Sequence, residues 1–191
     1  MVNKKENSRF HFADTIKLLV GEKAKVITLN NPTKGATCSC LMVIDHINSD
    51  VPLVIANSDQ VFNCSLQEVV DHFKGQSLDG GVITFDSVHP RWSYVRLSDE
   101  NRVIETAEKR PVSRSAIAGF YYFAKGSDFV RAAMKSIEKG ADLDGQFYVS
   151  STFNEMILDG KEVGIYEIPN EKFLTLYSIE KIKEAQATPW L

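Results

Sequence analysis

Short apolar runs alternate with stretches of helical periodicity along the chain, the pattern of a parallel or mixed α/β sheet. Residues 25–29 read as a strand, ended by the breaker cluster Asn30-Asn31-Pro32-Thr33-Lys34-Gly35. Ala36, Cys40, Val43, Ile44 and Ile47 then recur mostly at steps of three and four, which predicts one amphipathic helix over 35–46. Residues 52–57 are continuously apolar up to Asn57, as in a strand covered on both faces. Ser65 caps a predicted helix over 66–73, with Glu68 completing a capping box. Residues 81–85, 93–97 and 102–106 then form β-rich runs in quick succession, and Asp99-Glu100-Asn101 has hairpin-turn chemistry. Another strand is predicted over 117–123. Gly126-Ser127-Asp128 opens a helix over Phe129, Val130, Ala133 and Ile137. A helix over 147–158, a strand over 163–168 and a last helix from near Ser178 close the chain. The order is α/β first, then an antiparallel insertion, then helices with a strand. No repeat or linker divides it, so one domain spanning 1–191 is expected.

Composition removes several functional classes. A length of 191 residues fits one ordinary domain, and 43% hydrophobic with 25% charged residues excludes a disordered chain. The longest apolar run, residues 116–124, is about half the 18 or so residues that a membrane span requires. Residues 1–7 carry two lysines with no apolar segment behind them, so no secretory leader is read. With 22 basic against 25 acidic residues, no broad cationic field exists for nucleic acid or anionic lipid. Cys38, Cys40 and Cys64 are too few for a disulfide scaffold. The expectation is a soluble cytoplasmic protein with reduced thiols.

Four short stretches can carry chemistry. Ala56-Asn57-Ser58-Asp59-Gln60 lies at the carboxyl end of an apolar strand, where open α/β sheets bind ligands. A carboxylate there, Asp59, can hold Mg²⁺, which takes one or two carboxylates and completes its shell with water and phosphate oxygens. The plainer alternative is a solvated turn. Pro32-Thr33-Lys34-Gly35-Ala36 leads from a strand into a helix, whose first N–H groups attract anions. Gly35 would let a planar ligand approach the backbone, and Ala36 adds no bulk. Neither phosphate-loop pattern, GxxxxGK[ST] or GxGxxG, occurs, so an ordinary loop is the competing reading. Ala107-Glu108-Lys109-Arg110-Pro111 sets an acceptor beside a cation, able to address a sugar hydroxyl and a phosphate together, or else a solvated charge pair. Asp144-Gly145-Gln146-Phe147-Tyr148 is a polar lead-in to a helix, or a cap followed by core aromatics. The four histidines have no ligand spacing for zinc, and no GxSxG elbow is present. Cys38 and Cys40 read as small core residues of a helix.

Taken in order, these stretches, with Leu53-Val54-Ile55-Ala56, Trp92-Ser93-Tyr94-Val95 and Ala118-Gly119-Phe120-Tyr121-Tyr122-Phe123, resemble the sugar-1-phosphate nucleotidyltransferases. These are the nucleoside-diphosphate-sugar pyrophosphorylases, and the likeness is greatest to the branch of bacterial capsule and surface-polysaccharide clusters. It covers residues 25–168. The resemblance implies a Rossmann-like nucleotide-diphospho-sugar transferase fold, with a mixed, mostly parallel sheet and a small antiparallel insertion. It also implies the joining of a nucleoside triphosphate to a sugar 1-phosphate, with Mg²⁺ and release of pyrophosphate. By resemblance, Gly35 and Ala36 lie with Asn57 and Ser58 along the nucleotide, and Asp59 holds the metal. Glu108, Gly119 and Gln146 face the sugar, and Lys109 faces its phosphate; Gln146 stands where relatives often carry Glu.

The departures generate expectations of their own. Relatives open with a strand and a glycine-rich, Arg- and Lys-bearing triphosphate loop, and nothing in residues 1–19 resembles it. An N-terminally truncated form of the fold is therefore expected, with an open sheet edge that a second copy or a partner covers. The residues 173–179 lack the glycine and carboxylate that relatives place near a second metal contact. Two alternatives stay open: a non-catalytic sugar-nucleotide-binding or regulatory domain, and a glycosyltransferase of related fold. The latter calls for a second carboxylate, as in DxD, where Asn57-Ser58-Asp59 offers one.

Overall fold

Alternation along one strand organises the protein: Ala116, Ala118, Phe120 and Tyr122 bury on one side of the sheet, and Ile117, Tyr121 and Phe123 on the other. The computed structural model describes residues 1–21 and 23–190. Its elements are β1 (Val2–Asn3), α1 (Lys4–Phe10), α2 (Phe12–Val20), β2 (Thr28–Leu29), α3 (Ala36–Leu41) and α4 (Ile44–Ile47). They continue with β3 (Leu53–Ala56), β4 (Gln60–Phe62), α5 (Leu66–Gly75), β5 (Gly80–Asp86), β6 (Ser93–Leu97), β7 (Val103–Glu108) and β8 (Ser115–Phe123). The chain ends with α6 (Gly126–Glu138), α7 (Val149–Leu158), β9 (Val163–Glu167), β10 (Phe173–Thr175) and α8 (Ile179–Gln186).

Six strands form the main sheet, with β8 at its centre. On one flank β8 pairs antiparallel with β5, which pairs parallel with β9. On the other flank β8 serves two partners. Its end pairs with β3, from Leu53↔Phe123 to Ala56↔Phe120, and its start meets β6 at Tyr94↔Ala116. β6 continues antiparallel to β7, so the expected insertion belongs to the main sheet. β3, β5, β6 and β9 thus run one way, and β7 and β8 the other. Two flanking strands on one side of β8 leave the stretch between Ala116 and Phe120 without a strand beside it. Opposite, the β5–β8 register jumps between Val82 and Thr84, a bulge that includes Gly119 at φ +73°.

Two cores cover the sheet. Val82, Phe123, Phe129, Phe153 and Met156 pack under α6 and α7, where the Phe123 and Phe153 rings stack with centroids 4.8 Å apart. On the other face Ile83, Tyr94, Phe120 and Tyr122 form a core with Phe73 of α5, whose ring stacks on Tyr122; the α5 N-cap Ser65 accepts from the Glu68 amide as its sequence predicts. Ser178 likewise caps α8.

Three local expectations are corrected. The helix over 35–46 breaks at Met42-Val43, where Met42 N–H and Val43 N–H bond three residues back and Val43 leaves the helical region. The strand over 25–29 shrinks to Thr28–Leu29, because its partner β1 is only two residues long. β3 is not covered on both faces: Val54 is 41% exposed, since β3 pairs only with β8 among the described residues. Beyond its free edge lies a groove of about 440 Å³, bounded by β3 on one side and Met1, Lys25 and Ile27 on the other. No helix is long and apolar enough to cross a membrane among the described residues.

Candidate active site

The site begins where β3 runs out. After Ala56 the chain turns, the Asn57 N–H donates to the Gly119 carbonyl (3.0 Å), and β4 starts at Gln60. The bulge at Gly119 makes room for this turn. A Cβ there would overlap Gln60 Oε1 and lie 2.6 Å from Asn57 Nδ2. Gly119 therefore accommodates two side chains of the neighbouring turn, and its φ of +73° suits glycine.

Against this turn lies a cavity of about 280 Å³. Its walls are Ala36, the turn residues Asn57, Asp59 and Gln60, then Arg91, Trp92 and Ser93 ahead of β6, Glu108 at the end of β7, Ile117, Gly119 and Tyr121 of β8, and Tyr148 with Val149. A second recess of about 530 Å³ adjoins it, sharing Ala36, Asn57, Asp59 and Val149 and extending past Ser58 to Asn31, Pro32 and Thr33. Asp59 stands where the two meet. Five of the nine residues singled out in the sequence line the cavity, namely Ala36, Asn57, Asp59, Glu108 and Gly119, and Ser58 borders the second recess.

Glu108 is the best-anchored acceptor. Both Ser93 Oγ and Ser150 Oγ donate to its Oε2, the latter at 2.7 Å, and neither serine is exposed. Among the described residues no side chain bonds Oε1, which leaves it available to a hydroxyl donor. Tyr121 lies alongside. Burial and the Glu108 charge push its phenol well above the ordinary range, with Ser93 acting weakly the other way, so it stays a neutral O–H.

The remaining sequence candidates are placed differently. Lys109, in the left-handed region at φ +52°, is exposed, and its Nζ donates to Tyr148 Oη (2.9 Å). That bond raises the Lys109 ammonium above its usual range. Tyr148 lines the cavity and Lys109 stands behind it. Gln146 is exposed and outside the lining; its backbone exchanges two 3.0 Å bonds with Leu143 across Asp144-Gly145, both at positive φ, a tight primed turn. Gly35 (φ +102°, ψ 174°) is approached closely by the chain itself. Phe147 N–H donates to the Lys34 carbonyl (2.8 Å), Thr37 N–H donates to the Phe147 carbonyl (3.2 Å), and a Cβ on Gly35 would overlap that peptide.

Two solved structures share this architecture. A nucleoside-diphosphate-sugar pyrophosphorylase from Vibrio cholerae RC9 aligns with a TM-score of 0.81 over 96% of this chain and 78% of its own, at 17% identity. A candidate glucose-1-phosphate thymidylyltransferase from Bacillus anthracis, solved in complex with sucrose, aligns with a TM-score of 0.68 over 92% of this chain and 70% of its own, at 16% identity. No family model and no curated protein matches the sequence. The fold is nucleotidyltransferase-like.

Sequence reasoning missed Ser93 and Ser150 as holders of Glu108, and Arg91 and Tyr148 as cavity walls. Ser93 and Tyr148 sat inside matching stretches, but nothing local marks them as facing a ligand. For Mg²⁺, the donor set is one exposed carboxylate, Asp59, flanked by the Asn57 and Gln60 amides; Gln60 Oε1 is buried and has no hydrogen-bond partner among the described residues. Among those residues no group of three or more His, Cys, Asp or Glu gathers. A hard cation that arrives with its waters and phosphate oxygens fits such a site; a metal caged wholly by protein does not.

Proposed function

We propose that the chain joins a nucleoside triphosphate to a sugar 1-phosphate with release of pyrophosphate. The observation that carries this reading is the pair of recesses meeting at Asp59: one beside the 31–36 loop suits a nucleotide, and one holding anchored Glu108 suits a sugar. In the reaction a sugar phosphate oxygen attacks the α-phosphorus in line, a new P–O bond forms, and the α–β P–O bond breaks. The protein need only align two anions and neutralise them. Asp59 would hold Mg²⁺, which supplies charge neutralisation at the phosphates when bound. Ala36, Asn57 and Ser58 line the nucleotide, with Gly35 setting the course of the loop beside them, and Glu108 accepts from sugar hydroxyls over Gly119. Lys109 acts through Tyr148 at the sugar phosphate, and Gln146 reaches the sugar from the rim. The product is an activated sugar of the kind polysaccharide synthesis consumes, which places the reaction in the cytoplasm.

The direct test is pyrophosphate release from a panel of nucleoside triphosphates and sugar 1-phosphates with Mg²⁺. Asp59→Ala should abolish it; turnover that survives this change means the metal lies elsewhere. A single carboxylate at the metal position favours a second reading, a sugar-nucleotide-binding or regulatory domain. Under that reading a nucleotide sugar raises the melting temperature by mass action while no pyrophosphate appears. The free edge of β3 supports a further element, a second copy paired along it. Light scattering across a concentration series should then give a dimer that Val54→Lys dissociates; a monomer throughout removes this element.

A further inference from the structure

We infer that Arg91 is the phosphate anchor of the cavity, and that the Tyr177 ring holds it ready and couples it to the C-terminal segment. The inference rests on the sugar-phosphate reading above and names a residue outside the stretches that carry the sequence resemblance.

The cavity presents two carboxylates, Asp59 and Glu108, and a phosphate-bearing ligand needs a cation among them. The two basic residues beside Glu108 do not line the cavity: Lys109 reaches it only through Tyr148, to which its Nζ donates, and Arg110 pairs with Glu105 at 2.7 Å. Arg91 lines the cavity and forms no ion pair among the described residues.

Its setting is equally specific. The guanidinium lies 3.7 Å from the Tyr177 ring centroid and 4.8 Å from that of Trp92. Stacking engages the flat faces of a guanidinium and leaves its N–H edge free for acceptors in the plane. A free planar fork is the donor arrangement that takes two phosphate oxygens at once. A lysine cannot reproduce it.

The backbone just before Tyr177 is in turn tied to the backbone of Asp59. The Leu176 N–H donates to the Asp59 carbonyl (2.7 Å), and β10 pairs with β4 from Thr175↔Gln60 to Phe173↔Phe62. Phe173 stacks on Phe62 and meets Trp92 edge-on. The segment carrying the Tyr177 ring is thereby stitched to the turn carrying Asp59. A phosphate bound by Arg91 strengthens the stack by fixing the guanidinium, and so steadies residues 173–186.

The test is calorimetric titration of the whole chain with a panel of hexose 1-phosphates, inorganic pyrophosphate and nucleoside triphosphates, each with Mg²⁺. Wild type is compared with Arg91→Gln, Arg91→Lys, Tyr177→Leu, Tyr177→Phe and Glu108→Gln, and folding is checked by far-ultraviolet circular dichroism. Arg91→Gln should weaken the hexose 1-phosphate by about tenfold or more, the scale of a charged hydrogen-bond pair. Arg91→Lys should recover only part of that loss. Tyr177→Leu should weaken it about two- to fivefold through the lost stack, and Tyr177→Phe should restore it. Pyrophosphate and triphosphates separate the sources of the anion: a loss confined to the hexose 1-phosphate assigns Arg91 to the sugar phosphate. Limited proteolysis after residue 172 should be slowed by the ligand in wild type and not in Arg91→Gln. Arg91→Gln binding as wild type while Glu108→Gln does not would overturn the anchor and leave the sugar-phosphate reading standing. Failure of wild type to bind any of the panel overturns both.

Discussion

Gly35→Ala isolates the link between the nucleotide-side loop and the start of α7. Gly35 sits at φ +102°, ψ 174°, a region occupied essentially by glycine alone, so a methyl group there costs about 1–3 kcal/mol in backbone strain. That methyl would also lie 2.6 Å from Phe147 N and overlap its carbonyl oxygen, and both atoms belong to backbone that cannot rotate away. Relief requires the Phe147 peptide to withdraw, which breaks its bonds to Lys34 and Thr37, each worth about 0.5–1.5 kcal/mol. The combined loss is about 2–6 kcal/mol, or roughly 4–24 °C in melting temperature for a chain of this size. Urea denaturation should give a lower midpoint with an unchanged slope. Gly160→Ala is the control. It has φ +74° but nothing within 4 Å of its would-be Cβ, so it should lose only about 1–2 kcal/mol. A Gly35→Ala protein no less stable than Gly160→Ala would refute the claim that the Phe147 peptide fixes this loop.

Gly119→Ala should act on the site more than on the fold. Its Cβ would displace the Gln60 and Asn57 side chains, so ligand affinity should fall about tenfold or more in calorimetric titration, while stability falls by about 1–3 kcal/mol. Lys139→Met strands the buried Glu155 carboxylate, which Lys139 Nζ meets at 2.7 Å; urea midpoints should report a loss of about 3 kcal/mol, largely recovered in Lys139→Met/Glu155→Leu. Burial pushes the Cys40 thiol up to about 11 from 9.0. Below pH 9 the thiol is protonated whether folded or unfolded and contributes no pH dependence. Between pH 9 and 11 the unfolded chain loses this proton first, so stability falls as pH rises. Cys40→Ala should show a shallower decline over that window in urea midpoints.

The sheet was legible wherever local pattern and burial agreed. Ser93–Leu97 appears as a strand with the bounds its alternation predicts, and Ser65 and Ser178 cap the helices they precede. Where pairing across the chain decides the outcome, the pattern was silent or misleading. β4 and β10 exist because Gln60–Phe62 finds Phe173–Thr175 far along the chain, and neither segment is long enough to announce itself. β3 looked doubly covered because its composition is that of an interior strand, yet its second neighbour is absent among the described residues. The candidate site follows the same division. Asp59 and Glu108 stood out because carboxylates at strand ends are chemically conspicuous. Ser93, Ser150 and Tyr121 carry no such mark, and their role emerges only when β6, β8 and α7 meet around Glu108. Gly35 drew notice as a glycine and Gly119 through the family resemblance, but the partners that need their missing side chains, Phe147 and Gln60, are fixed by tertiary contact.

The divergence of β3 and β6 along one flank of β8 has an evolutionary consequence. The cavity is a gap within the sheet, opened where one neighbouring strand has ended and the next has not begun, so its position is written in strand registers and not in any one side chain. Registers resist change, because a slip of one residue turns every buried side chain outward. The wall residues Arg91, Glu108 and Tyr148 come from three separate segments, so an exchange at one leaves the backbone that carries the other two in place. Sequence drift can therefore retune which ligand is held while leaving intact the place that holds it.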